Sequence, residues 1–162
     1  MASIETVAGK ILKELQQTKP FRHIEEEIFL NLQRAADTAM QELADVLRPS
    51  GVSPTQYNVL RILRGAGDTG VTCKDIAARM ITRDPDITRL LDRLERRHLL
   101  TRSRAIEDRR FVAIRITDAG LALLADLDGP IEKKQIALMR HMTKDQLSLI
   151  LELLERIREW PR

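Results

Sequence analysis

Apolar residues recur at every third or fourth position along most of this chain, the spacing that places them on one face of an α-helix. Two such segments lie at residues 4–15 and 24–47. Three later helix starts carry a capping signature, because Ser53, Thr72 and Thr143 are each followed three residues on by an aspartate or a glutamine. The pattern predicts a mainly α-helical protein.

A further helix is expected to start at Asp84 and Pro85, a capping residue followed by a first-turn proline, and to run to about Arg97. On a helical projection this segment has an apolar side and an opposite side that carries arginines. The apolar side comprises Ile87, Leu90, Leu91 and Leu94, and the opposite side comprises Pro85, Arg89, Asp92 and Arg96, with Thr88 and Arg93 on the flanks. The segment is therefore predicted to be an amphipathic helix with a basic outer face.

Residues 107–117 instead alternate with the period of two that is typical of a half-buried β-strand. Residues 99–104 can form a second short strand, which makes residues 105–110 the charged loop of a hairpin. Three short helices followed by a hairpin is the order of elements in a winged helix-turn-helix. The expected fold class is mainly α with one small β-hairpin wing.

The C-terminal segment is expected to form helices with wide apolar surfaces. Thr117 is a predicted cap, and Gly129 and Pro130 are expected to interrupt the helix that it starts. The last helix, opened by Thr143, carries leucines around much of its circumference as far as Trp160. We expect so apolar a terminal helix to pack against the N-terminal helices and a second subunit.

The distribution of charge suggests a partner more clearly than the formal net charge of +3 over 162 residues. Residues 79–115 hold eleven arginines, no lysine and six acidic residues, a net charge of +5, so the rest of the chain is mildly acidic. A basic block of this kind is typical of phosphate binding, although a solvated face with internal ion pairs is the alternative. Aromatic residues make up only 3%, which argues against stacking platforms for single-stranded nucleic acid.

The remaining composition favours no metal or cofactor. The single cysteine, Cys73, excludes an intramolecular disulfide and a cysteine-based zinc site, and it fits a reducing cytoplasm. The histidines, His23, His98 and His141, are far apart and lack metal-ligand spacing. The chain has no recognisable signal peptide and no apolar run that could span a bilayer, so we expect a cytoplasmic protein without a membrane partner.

Three stretches in the middle of the chain match known motifs. SPTQYNVLRIL is similar to the opening helix of a DNA-binding lobe, and DITRLLDRLERRHLLTR to a recognition helix that continues into a first wing strand. EDRRFVAIRITDAG is similar to an Asp-x-Arg wing followed by an aliphatic–threonine pair and a glycine. Together, in this order and at these distances, they resemble the MarR family of bacterial transcriptional regulators, from about Ser53 to Gly120.

The resemblance implies a transcriptional regulator, expected to be a repressor, that binds double-stranded DNA as a homodimer. Each recognition helix would lie in a major groove of a pseudo-palindromic operator and each wing in a minor groove. In domain terms, residues 1–48 and 119–162 become dimerisation helices and residues 52–118 the DNA-binding lobe. Within that lobe the recognition helix spans about 85–97 and the wing about 99–116.

The resemblance and the helical projection together assign the contacts of the recognition helix. Arg89 is expected to read guanine O6 and N7, because an arginine near the N-terminal end of such a helix can bond both atoms. Thr88 could touch a thymine methyl group or a phosphate. Arg93 and Arg96 are expected at the DNA backbone, with an ordinary solvated face as the alternative. Ser53 could offer its hydroxyl to a phosphate, but it already serves as a cap.

The wing supplies three further candidates. Arg110, at the arginine of the Asp-x-Arg pattern, is expected to enter the narrow minor groove, where the negative potential attracts a guanidinium. Asp108 would orient Arg110 or a neighbouring arginine through a charge-assisted hydrogen bond, and Arg109 would contact a phosphate. The alternative for Asp108 and Arg110 is a purely structural turn.

Two features depart from the family pattern. His98 stands where the family usually has a glycine after the recognition helix, so a left-handed helix end must be made by a costlier residue or by another geometry. Asp84 and Asp86 suit the helix dipole but repel phosphates, unless one of them accepts a hydrogen bond from cytosine N4.

The expected switch is a small lipophilic or aromatic-acid effector, bound between the dimer helices and the DNA-binding lobe, as the family commonly does. Cys73, at a helix start, could instead serve as a redox-sensing thiolate. The peroxide-sensing branch of the family, however, carries its cysteine near the N-terminus, where this chain has none. A small, partly buried residue is the favoured interpretation of Cys73.

Two other classes of function compete with a DNA-binding regulator. An enzyme receives little support, because the chain has no phosphate-cradling glycine loop and no nucleophile-elbow motif. A helical adaptor could use the same winged fold and its arginines on a protein partner, and Asp84 and Asp86 favour that alternative. Salt dependence separates the two, since contacts to several phosphates lose affinity steeply as salt rises.

Overall fold

The structure is a computed structural model that describes residues 9–82, 86–104 and 112–160; of Arg104 it describes the backbone alone. In these ranges the α-helices are α1 (Lys10–Glu14), α2 (Ile24–Leu47), α3 (Pro54–Ala66), α4 (Cys73–Arg79), α5 (Ile87–Arg96), α6 (Asp118–Met139) and α7 (Lys144–Arg158). The strands are β1 (Leu100–Arg104) and β2 (Val112–Ile116). The expected fold class, mainly helical with one hairpin, is confirmed.

The chain divides into two compact units, residues up to Glu42 and residues from Leu43 onward. In the first unit, Ile11 of α1 is buried, and the Gly9 amide donates a 2.9 Å hydrogen bond to Glu27 Oε1 of α2. Most of the apolar positions at the start of α2 are exposed, and Ile24 and Phe29 are each about 60% accessible. Alone, this unit leaves much of its predicted apolar stripe facing outward.

The second unit holds the hydrophobic core. Its fully buried residues come from α2 to α6 and from both strands, and they are Leu47, Val59, Leu60, Leu63, Ile76, Leu91, Leu94, Leu100, Ile114 and Leu124. Each contributes about 1.5–3 kcal/mol by leaving water. Tyr57, Leu60 and Leu63, which recur at helical spacing on α3, are all buried, whereas Ala77 of α4 is exposed beside the buried Ile76. Helix α4 is too short to bury more than Ile76.

The hairpin is antiparallel, with Leu100 opposite Ile116 and Arg104 opposite Val112. Val71, just before α4, adds a short third edge, since its amide and carbonyl bond the backbone of Ile114 at 3.0 and 2.8 Å. The predicted alternation is confirmed at the buried Ile114. Val112 is 43% exposed because it belongs to the last pair of the ladder, beyond the core.

Capping side chains begin four of the helices at the predicted residues. Ser53 and Gln56 form a reciprocal capping box at the start of α3, as do Thr72 with Asp75 at α4 and Thr143 with Gln146 at α7. Thr117 accepts the Gly120 amide at the start of α6. Each such cap stabilises its helix by about 1 kcal/mol.

Two predicted helix boundaries are wrong. Helix α5 begins at Ile87 and its N-cap is Asp86, not Asp84; Asp84 and Pro85 lie outside the described residues. Helix α6 runs unbroken through Pro130. Leu127 and Ile131 are buried on either side of the proline, and this burial offsets the cost of about 3 kcal/mol that an internal proline carries.

Candidate nucleic-acid interface

Helix α5 separates its apolar and basic residues as the helical projection predicts. Leu90, Leu91 and Leu94 are buried in the core of the second unit. The candidate contact residues Thr88, Arg89, Arg93 and Arg96 are all exposed. The structure thus brings these four onto the outer surface of one ten-residue helix, and their contacts with DNA stay predictions.

The first turn of α5 is organised by Asp86. Its Oδ1 accepts the Arg89 amide at 3.3 Å, as an N-cap does, and its Oδ2 lies 3.1 Å from Arg89 Nε. The Arg89 side chain is still 79% exposed. The carboxylate therefore contacts the guanidinium at Nε, and most of the Arg89 side chain stays accessible.

Arg102 of β1 reaches across to the same helix. Its Nη1 donates to Asp92 Oδ1 at 2.6 Å and to Glu95 Oε2 at 3.0 Å, and its Nη2 lies 3.5 Å from the backbone oxygen of Thr88. The Arg102 side chain is only 26% exposed. This cation joins α5 to the hairpin and offsets one of the two acids on that part of the helix.

The C-terminal end of α5 has the left-handed geometry that the sequence made costly. His98 has a φ of +58°, its amide bonds Glu95 O at 2.8 Å, and the Leu99 amide bonds Leu94 O at 3.0 Å. These two bonds form a Schellman motif, which a glycine usually completes. The expectation of a costlier residue in this conformation is confirmed.

Two more arginines of the basic block bind backbone oxygens of their own lobe. Arg97 donates to Gly51 O at 2.6 Å and to Ser50 O at 2.9 Å. Arg115 donates to Asp68 O at 2.7 Å and to Ser103 Oγ at 2.6 Å. The alternative of internal pairing therefore holds for part of the block. Sequence spacing gives no sign of these bonds, because the partners are distant in the chain.

The tip of the wing lies outside the described residues, and with it Asp108, Arg109 and Arg110. The strands on both sides of it are described, and they end at Arg104 and begin again at Val112. The candidate roles of the three tip residues therefore stay predictions. Arg83, another member of the basic block, is also outside the described ranges.

The described part of the chain was expected to hold no metal site, no redox-sensing cysteine and no membrane span, and its residues bear on each of these in turn. No group of three or more histidines, cysteines, aspartates or glutamates there could hold a metal ion. Cys73 is half-buried at the first position of α4, in agreement with the favoured interpretation. Within the same residues, no helix is both long enough and apolar enough to cross a bilayer.

Comparison with known proteins bears directly on this lobe. The family model "MarR family" matches residues 52–112. The solved MarR transcription factor from Planctomyces limnophilus is 37% identical, covering 83% of this chain and 98% of that one, with a TM-score of 0.65. The transcriptional repressor MdtR of Bacillus subtilis (strain 168) is 33% identical over 94 residues, 58% of this chain and 59% of that protein.

A third similarity concerns the fold alone, because the identity is only 22%. It is to BpsR of Bordetella bronchiseptica, described as a protein whose DNA binding is regulated by 6-hydroxynicotinic acid. The TM-score is 0.76, and the alignment covers 88% of this chain and the whole of that one.

Proposed function

This chain belongs to the MarR family of transcriptional regulators, and we propose that it binds an operator as a homodimer and represses transcription there. Helix α5 is the recognition helix in the major groove, and the hairpin is the wing in the minor groove. The repressor assignment draws on MdtR, which carries that name. The family consists of transcription factors, and we propose no catalytic activity for this member.

The arrangement of α5 carries the proposal. A helix that buries three leucines on one side and exposes Thr88, Arg89, Arg93 and Arg96 on the other is suited to a groove lined by phosphates. Since α5 is 10 residues long, all four side chains fall within about 15 Å along its axis. One major groove can therefore accommodate them together.

Arg89 is the base reader in this proposal. Because Asp86 lies 3.1 Å from its Nε, the rotation of the guanidinium is restricted, while the side chain, 79% exposed, is still accessible to a partner. Guanine presents O6 and N7 as a pair of acceptors in the major groove. Asp86 thus reduces the ordering cost of a bidentate contact and does not simply oppose DNA.

The wing contacts follow the expectations from the sequence. Arg110 enters the minor groove, Asp108 orients it or a neighbouring arginine, and Arg109 binds a phosphate. The hairpin supports this by its position, because Arg102 fixes β1 to α5. These contacts join the groove-reading helix to the first strand of the wing.

Residues 1–48 and 119–162 are the dimerisation helices in this proposal, and residues 52–118 the DNA-binding lobe. Large apolar side chains of α2, α6 and α7 are exposed, and they include Ile24, Ile28, Phe29, Ile136, Leu149, Leu151 and Ile157. Burying them against a second subunit supplies the favourable free energy of association.

A small lipophilic or aromatic-acid effector is proposed to modulate DNA binding. The protein is proposed to act in the cytoplasm. BpsR, regulated by 6-hydroxynicotinic acid, is the similar protein that supports the proposed effector. An effector shifts the balance only if it binds the DNA-competent and DNA-incompetent forms with different affinities. A titration of aromatic acids against the DNA complex is the corresponding measurement.

The proposal is tested by fluorescence anisotropy with a duplex from the region upstream of the gene and a scrambled duplex, at two salt concentrations. We expect the wild type to prefer the upstream duplex. Arg89→Ala should erode that preference by about 1–3 kcal/mol, because a base contact carries sequence information. Arg110→Ala should weaken binding to both duplexes. Arg61→Ala, at an exposed arginine of α3 outside the basic block, is the control.

Equal binding to both duplexes by every variant would contradict the proposal. Binding to a protein partner that ignores salt would favour the adaptor alternative, because phosphate contacts release counterions and are strongly salt-dependent.

A further inference from the structure

Two acidic residues lie on the part of α5 that the proposed function, on which this inference rests, turns toward DNA. Asp92 is three residues after Arg89 and four before Arg96, so the three share one helix face. Its side chain is 45% exposed, and that of Glu95 is 38% exposed. Carboxylates on such a surface repel phosphates.

We propose that Arg102 is a masking and positioning residue, which shields these two acids from DNA and makes no DNA contact of its own. One nitrogen, Nη1, serves both carboxylates, at 2.6 Å from Asp92 and 3.0 Å from Glu95. The guanidinium offsets one negative charge and turns both carboxylates toward β1. The Arg102 guanidinium is therefore bound within the protein, although the sequence alone would count it among the cations of the basic block.

The backbone makes this arrangement firm. Arg102 pairs with Ile114 in the hairpin, and Ile114 is buried. Asp92 and Glu95 are three residues apart on α5, so both can face the same cation. Hydrogen bonds between ionised groups are stronger than neutral ones. Ion pairs thus connect the wing strand to the recognition helix. They lie next to Thr88, whose backbone oxygen is 3.5 Å from Arg102 Nη2.

Arg115 offers a matched control in the same hairpin. Its three hydrogen bonds go to two backbone oxygens and to the hydroxyl of Ser103. Replacing Arg115 removes a cation from the wing without exposing a carboxylate. A difference between Arg102 and Arg115 variants then reports masking and not the general loss of a positive charge.

The test measures DNA binding by fluorescence anisotropy over a range of salt concentrations. It compares the wild type with Arg102→Ala, with Arg115→Ala, with the double variant Asp92→Asn and Glu95→Gln, and with the triple variant that adds Arg102→Ala to the double variant. Thermal unfolding of each protein sets a temperature at which all are folded. We expect Arg102→Ala to weaken binding on the order of tenfold, because one more negative charge then faces the phosphates. The triple variant should recover wild-type affinity or exceed it, with the wild-type salt dependence. A further variant combines Arg115→Ala with Asp92→Asn and Glu95→Gln. Its affinity should be lower than that of the double variant by the same factor by which Arg115→Ala lowers the wild-type affinity, so neutralising the acids gives no rescue there.

The double variant gives an independent readout, because it keeps Arg102 and the packing of the aliphatic part of that side chain. With the carboxylates neutral, the released cation should raise affinity for the scrambled duplex more than for the upstream duplex, so the sequence preference falls. Weaker binding of the upstream duplex by this variant, with binding of the scrambled duplex unchanged, would mean that the acids themselves contact bases, which overturns the proposal.

Two further outcomes also overturn it. If the triple variant stays as weak as Arg102→Ala and its salt slope is smaller by about 1, Arg102 is a phosphate contact. If it stays weak with an unchanged slope, Arg102 acts only through the fold. Loss of DNA binding by the wild type would contradict the proposed function as well, whereas loss of rescue with intact wild-type binding contradicts masking alone.

Discussion

His98 ends the recognition helix with a φ of +58°, a conformation that glycine adopts without penalty. Its backbone makes the bonds that the helix end needs, and its carbonyl accepts a 2.6 Å hydrogen bond from Thr117 Oγ1. The side chain is exposed and no described residue depends on it for a hydrogen bond. The residue thus carries backbone strain without an identified contact in return.

Replacing His98 by glycine is expected to stabilise the protein. Relief of the left-handed strain is worth about 1–2 kcal/mol, and the greater chain entropy of glycine takes back about 0.5–1 kcal/mol, which leaves a net gain near 0.5–1 kcal/mol. Urea denaturation measures the change. His98→Ala, which retains Cβ, should show no such gain. Equal stabilisation by both variants would place the cause in the imidazole and not in the backbone.

Single-residue predictions from the sequence were best where the contact is local. The caps Ser53, Thr72, Thr117 and Thr143 bond residues three positions away, and spacing alone identifies such pairs. Asp86 replaced Asp84 as the cap of α5. Both are aspartates at plausible distances, and the sequence does not distinguish them.

Helices α3 and α6 are joined by an ion pair between two partly exposed side chains. Arg64 donates to both oxygens of Asp128, at 2.7 and 3.1 Å. The guanidinium holds the pKa of Asp128 below its ordinary value of 3.8, chiefly through the hydrogen bonds and less through charge. Since the folded pKa is depressed, the pair stabilises the fold above the ordinary pKa and loses this effect as the pH falls through the folded pKa.

Asp128→Asn is therefore expected to reduce the free energy of unfolding at pH 7 and to make less difference at pH 3. Solvent screening of these exposed groups limits the loss at pH 7 to about 0.5 kcal/mol. Urea denaturation at both pH values provides the comparison. Asp126→Asn, at an exposed position on the same helix, is the control. An effect of Asp128→Asn that does not change with pH would show that ionisation of this carboxyl is irrelevant.

The continuity of α6 was not predictable at the level of the element. Gly129 and Pro130 together are a strong local signal for a break. The buried side chains of Leu127 and Ile131 hold the two halves in line against the core. Tertiary packing here outweighs local propensity, and no pattern within the helix shows how deep those two residues lie.

For the whole molecule, the amphipathic pattern and the core account for different sets of apolar residues. The stripes of α3 and α5 are buried within the second unit, whereas α7 leaves six of its apolar side chains more than a third exposed, namely Leu147, Leu149, Leu151, Leu153, Leu154 and Ile157. Several exposed apolar side chains on one helix are typical of a protein–protein interface. This exposure supports the proposed homodimer.

Leu151→Asp is expected to weaken the dimer and, with it, binding to a two-half-site operator. Leu151 is 60% exposed, so the change costs the single chain little stability, but a buried carboxylate at an interface is strongly unfavourable. Analytical ultracentrifugation over a concentration series measures the shift toward monomer. Ser148→Asp, on the polar side of the same helix, should stay dimeric. An unchanged sedimentation profile for Leu151→Asp would exclude α7 from the interface.

Sequence alone determined which segments are helical, most of their caps, the hairpin and the two faces of α5. Each of these features depends on residues a few positions apart, so the spacing of residue types along the sequence is enough to predict it. The family motifs likewise occupy one contiguous stretch, now matched over residues 52–112.

Tertiary structure alone decided which arginines of the basic block face outward. Arg97 and Arg115 bind backbone oxygens 46 and 47 residues away in the chain, and Arg102 bonds two acids of another element. A charge count treats these cations as equal to Arg89 or Arg93. Only folding separates them, because a guanidinium binds whichever oxygen the backbone brings near it, and distance along the chain does not reveal that oxygen.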